Sequence, residues 1–122
     1  MKEIKAIIQP FLVSKVVDAL KEIEDLPGVT VSVVRGFGKG RARNAVNRII
    51  DDGVDYAPKT KLEIVVPDHL VEEVLNTICQ NARTGHPGDG KIFISSIDEV
   101  VNVRTSARGG DSNLGCTKGP PP

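Results

Sequence analysis

The stretch Thr84-Gly85-His86-Pro87-Gly88-Asp89-Gly90-Lys91 carries the residue types best suited to holding an anion. Three glycines permit backbone conformations that turn successive N–H groups toward one point, and Lys91 adds a positive charge there. Such a nest suits a phosphate. Its spacing does not match GxxxxGK[ST], so it is not the loop of the common nucleotide hydrolases. A glycine-rich hairpin turn would have the same composition. Farther on, Arg104 and Arg108 carry guanidinium forks that can grip phosphate oxygens through paired hydrogen bonds, although solvated charges at a strand end look alike.

Other candidates point elsewhere. Lys39, Arg41, Arg43 and Arg48 form a basic run followed by Asp51, Asp52 and Asp55. No aromatic residue is interleaved, and the chain has three Phe, one Tyr and no Trp, so stacking on nucleic-acid bases is not expected. Asp51-Asp52-Gly53 lacks the alternation of a calcium loop. His69 and His86 have no sequence neighbour suggesting a nucleophile or paired acid, which argues against an enzyme. Cys79 and Cys116 lie far apart without a CxxC motif, so neither a disulfide framework nor a zinc site is indicated. Reduced thiols in the cytoplasm are the simple reading.

These residues need a scaffold. A chain of 122 residues suits one domain with one modest core. Sixteen basic residues balance sixteen acidic ones, so any attraction for anions must be local. No apolar run approaches the roughly 20 residues of a membrane span, and the first residues do not form a signal peptide. A protein of the cytoplasm is expected.

Residues 2–9 read as a strand stopped by Pro10. Val13, Val16, Val17, Leu20 and Ile23 then recur at helical spacing, with Ser14 as a candidate cap and Pro27-Gly28 as the end. The period changes to two from Val29 to Val34, a second strand. About 18 residues of loop reach Asp55, and a third strand from Leu62 breaks at Pro67. Asp68 is a candidate N-cap for a second helix striped by Leu70, Val71, Val74, Leu75, Ile78 and Ala82. Lys91–Ser95 and Val100–Arg104 follow as short extended segments. The order predicts an α+β class, a ferredoxin-like βαββαβ arrangement with an extra C-terminal strand. Two helices would cover one sheet face, leaving the other to pack on sister subunits.

The segments MKEIKAIIQPF, VTVSVVRGFG, PKTKLEIVVPD, ARTGHPGDGKIF and VRTSARG, in this order and spacing, resemble the P-II nitrogen-regulatory family. The resemblance divides the chain into a domain over 1–110, with a long regulatory loop at about 38–57, and a flexible C-terminal tail over 111–122. It implies a trimeric signal-transduction regulator with nucleotide pockets between adjacent subunits and ATP, ADP or AMP as effector. Carried over by motif, Thr30, Gly38, Lys39 and Val65 would line the adenine and ribose side. Gly88, Asp89, Gly90 and Lys91 would cradle the phosphates, with Arg104 reaching them across the interface.

Several positions depart from the family pattern. In the last strand, Asn102-Val103-Arg104 has one arginine where the family usually has two, which implies weaker binding or preference for fewer phosphates. Sensing members have a glutamine that helps hold magnesium and 2-oxoglutarate, whereas this chain has Gly40; Lys59, matching the lysine that meets a 2-oxoglutarate carboxylate, remains as a possible small-ligand residue. No hydroxyl side chain occurs from Gly38 through Asp55, so modification at the loop tip is not expected. One extra residue falls around Asp25 to Pro27. The resemblance implies docking of the loop on a transporter, channel or enzyme, and extends to bicarbonate-responsive regulators of carbon metabolism. A trimeric metal-binding protein of the related copper-tolerance fold, using His86, Cys79 or Cys116, and slow ATP hydrolysis are the alternatives.

Overall fold

The computed structural model describes residues 1–37, 49–51 and 53–115. Strand β1 (Lys2–Ile8) is the hub of the main sheet: it pairs antiparallel with β4 (Val54–Val66) on one flank and with β5 (Gly90–Ser96) on the other. Strand β2 (Thr30–Gly36) pairs with the outer flank of β4, so the order is β2-β4-β1-β5. A short strand β3 (Ile49–Asp51) folds back on the start of β4. Helix α1 (Val13–Lys21) connects β1 to β2, and α2 (Val71–Ala82) connects β4 to β5. This is the expected α+β, ferredoxin-like order.

Alternation along β1 explains the layering. Ile4, Ala6 and Ile8 point one way and are at most 2% exposed, beside Leu62, Ile64 and Val66 of β4. Val16, Leu20 and Ile23 from the first helical segment, and Leu70, Val74, Ile78 and Ala82 from the second, close over them. Full burial of each large side chain contributes about 1.5 to 3 kcal/mol, which makes this layer the main source of stability. The alternate positions, Glu3, Lys5 and Ile7 of β1 with Lys61, Glu63 and Val65 of β4, share the face that no helix covers. Phe93, opposite Lys5, is on that face and 53% exposed.

Both helices are entered in the same way. A proline ends the strand and one 3-10 turn follows, Pro10–Leu12 before α1 and Asp68–Leu70 after Pro67 before α2. Neither helix start has a side-chain cap, so Asp68 is not the expected N-cap, and Ser14 lies within the first turn of α1 without capping it. The 3-10 turns supply the entry geometry instead. Asp68 accepts from the α-ammonium of Met1 at 2.9 Å, and this bond holds its carboxyl below the usual carboxylate range.

Several elements differ in extent from the sequence reading: α1 ends at Lys21, short of Pro27-Gly28, and β3 lies within the expected loop. Strand β4 begins at Val54, before Pro58, where a loop is expected. Strand β1 stops at the register of Thr60, so one flank of Pro58 has no ladder partner there and a missing N–H costs nothing on that side. The extra C-terminal strand is a two-stranded ribbon off the main sheet, β6 (Val100–Val101) paired with β7 (Arg108–Gly109). A further 3-10 turn, Asp111–Asn113, follows it. Among the described residues no helix is long and apolar enough to cross a membrane.

Candidate functional site

The glycine turn is built where α2 gives way to β5. Gly90 opens β5 at a φ of +116°, and a Cβ there would lie 1.9 Å from the carbonyl oxygen of Ile7. Glycine alone lets the turn approach β1 this closely. Gly88, at a φ of +96°, is also left-handed, and its carbonyl oxygen accepts from Gln9 Nε2 at 2.8 Å and Lys59 Nζ at 2.6 Å. Lys59 is 3% exposed. Donors from just after β1 and from the middle of β4 therefore fix the turn.

Asp89 faces into its own turn. Its carboxylate accepts from the Thr84 amide at 2.8 Å, the Gly85 amide at 2.9 Å and the Thr84 hydroxyl. The Thr84 hydroxyl, more than the two amides, holds the Asp89 carboxyl below its ordinary range, against a smaller upward push from burial. The donors at the start of the turn are thus occupied by an internal anion. An external phosphate would be met from the side of Gly88, Gly90 and Lys91. Lys91 is exposed and shares with Arg83 and Asp89 the rim of a cleft of about 280 Å³, whose lining includes Ile8, Ile78, Cys79 and Ile92.

Val65 lies toward the opposite end of the sheet. It is in register with Glu3, whereas Gly90 is in register with Ile8, five positions along β1 and about 17 Å away in an extended strand. Thr30 is in register with Glu63 and so with Lys5, between those ends, on the outer strand β2. Thr30, Glu63 and Val65 line a recess of about 350 Å³ together with Glu3 and Leu114. Strand β5 leaves the sheet at the Met1 end, where the Ile97 amide donates to the Met1 carbonyl at 3.2 Å, and Asn102, Val103 and Arg104 follow in the turn of the separate β6–β7 ribbon.

Asn102 has a local structural duty. Its side-chain oxygen accepts from the Arg104 amide at 3.0 Å, and its carbonyl accepts from the Ser106 amide at 2.7 Å. Asn102 thus shapes the turn that presents Arg104, while Val103 and Arg104 are exposed. Arg108 is engaged elsewhere, its Nε donating to Glu99 at 2.6 Å. Gly38, Lys39 and Cys116 lie outside the described residues. Cys79 is half-buried and free, and no group of three or more potential metal ligands occurs among the described residues.

The family described as "Nitrogen regulatory protein P-II" matches residues 1–107. This chain belongs to the P-II family. It is 46% identical over 112 residues to "Nitrogen regulatory protein P-II" of Rhodospirillum rubrum, covering 92% of this chain and 99% of that protein. The protein of the same description from Azospirillum brasilense is 44% identical with the same coverage. "Nitrogen regulatory protein P-II 1" of Escherichia coli K12 is 44% identical over 105 residues, 86% of this chain and 93% of that protein.

Within this P-II chain the predicted residues thus form two groups, the glycine turn with Lys59, and Thr30 with Val65 in the recess, while Asn102, Val103 and Arg104 stand apart in the ribbon turn. Sequence reasoning passed over Gln9, Glu63 and Leu114. Glu63 was accessible to it, because it stands two residues before Val65 and so shares its sheet face. Gln9 and Leu114 carry no such signal, since their positions depend on contacts with distant segments.

Proposed function

We propose that this P-II protein is a cytoplasmic signal-transduction regulator, not an enzyme, whose trimer binds an adenine nucleotide between adjacent subunits. The separation of the two residue groups carries this reading. A polyphosphate held at Gly88, Gly90 and Lys91 lies about 17 Å along β1 from Val65 of the same chain, and Thr30, on β2, is three strands across the sheet from β5. A neighbouring subunit that brings its opposite sheet end alongside completes one pocket per interface. Glu63 in the recess offers an acceptor to an exocyclic amine, and Val65 an apolar wall to a base. The bound nucleotide then selects among conformations of the loop at 38–57, one of which docks on a transporter, channel or enzyme.

Arg104 without a second arginine supports preference for ADP or AMP over ATP, because each charge-assisted hydrogen bond contributes roughly 1.5 to 3 kcal/mol. Gly40, which offers no side-chain ligand, supports a nucleotide effector that acts without the usual 2-oxoglutarate chelate beside it.

Subunit mixing tests the reading. Lys91→Ala and Arg104→Ala each remove one half of every pocket, so each trimer alone should lose ADP binding in calorimetry. Chains unfolded and refolded together at equal ratio should regain about one quarter of the sites, each joining an intact half from either chain. Recovery of none would refute a shared pocket. Wild-type protein that binds no adenine nucleotide would refute nucleotide sensing itself.

A further inference from the structure

We infer that Leu114 is an additional base-contacting residue of the nucleotide pocket, so that the C-terminal segment belongs to the site; this rests on the function proposed above. The ribbon of β6 and β7 ends at Gly109, and the turn Asp111–Asn113 then reverses the chain. The turn is closed by two backbone bonds, Asn113 amide to Gly110 carbonyl at 3.0 Å and Leu114 amide to Asp111 carbonyl at 3.1 Å. Asp111 and Ser112 stay exposed while Leu114 becomes half-buried. It is the only large apolar side chain from Gly109 to the end of the described residues.

That side chain lines the recess formed by Thr30, Glu63 and Val65. The recess remains open, at about 350 Å³, so Leu114 acts as a wall and not as a plug. Val65, Leu114 and Pro27 give this mixed recess its apolar surfaces, and Thr30, Glu3 and Glu63 give it polar groups. A planar heterocycle with an exocyclic amine matches this pattern, whereas the phosphates have no cationic partner among these residues. Leu114 therefore bears on affinity for the base and not on capture of the polyphosphate.

The test compares wild type, Leu114→Ala and Leu114→Met with ADP as the probe. Truncation to alanine should weaken ADP binding roughly five- to tenfold by calorimetry, through loss of apolar contact, and methionine should restore most of it. In the wild-type complex with ADP, the Leu114 methyl groups should show nuclear Overhauser contacts to the adenine protons. Unchanged or tighter ADP binding by Leu114→Ala would overturn the inference, as would absence of those contacts in a saturated complex. Loss of ADP binding by alanine that methionine does not restore, without such contacts, would likewise leave Leu114 outside the site. If wild type binds no ADP, the nucleotide reading fails and this inference falls with it.

Discussion

Asp89 illustrates how one residue type can serve opposite ends. A carboxylate in a turn proposed to hold a phosphate works against that role until its partners are known: it closes the turn by accepting from Thr84 and Gly85. Folding lowers its pKa, so the latch is fully formed above the ordinary aspartate value of about 3.9. Its contribution to stability is lost as pH falls through the lower folded value. A carbon-detected NMR titration should place the Asp89 midpoint below that of an unfolded aspartate. Thr84→Val removes the largest cause of the shift and should move the midpoint upward; an unmoved midpoint would contradict the latch.

At the level of elements, the turn is held in place by strands distant from it in sequence. Gln9 directly follows β1 and Lys59 belongs to β4, yet both donate to the Gly88 carbonyl. Gly90, tight against Ile7, completes the clamp. Removing one donor leaves the carbonyl with the other, so the loss should be local and modest. Gln9→Ala should lower stability by about 0.5 to 1.5 kcal/mol in urea unfolding. It should also speed amide exchange selectively across residues 84–91. Uniform acceleration over the whole chain would place the effect in the core instead.

For the molecule as a whole, the uncovered sheet face is the feature that needs a partner. It mixes ion pairs, such as Lys61 with Glu63 at 3.3 Å, with Ile7, Val65 and a half-exposed Phe93. A face of this kind suits an interface with both apolar contact and charge registry, and a stable one buries more than about 1,000 Å². Phe93→Asp should leave the helix-covered core and the far-ultraviolet spectrum intact while shifting sedimentation of the proposed trimer toward monomer. A trimer that persisted unchanged would show that this face is not where subunits meet.

Much of this was legible in the chain itself. Periods of 3.6 and 2 in the apolar residues located both helices and the strands of the main sheet, because burial on one face imposes that spacing on any sequence. Glycines at 88 and 90 marked the turn, since few other residues accept its backbone angles. The start of β4 has no such signature, because Pro58 reads as a strand breaker until its unpartnered flank is known. What only the tertiary structure settled is which distant residues meet: Gln9 and Lys59 on one carbonyl, Leu114 beside Thr30 and Val65, and Val65 and the glycine turn toward opposite ends of β1. Strand register and chain reversal create those proximities, and neither has a local signature in the order of residues.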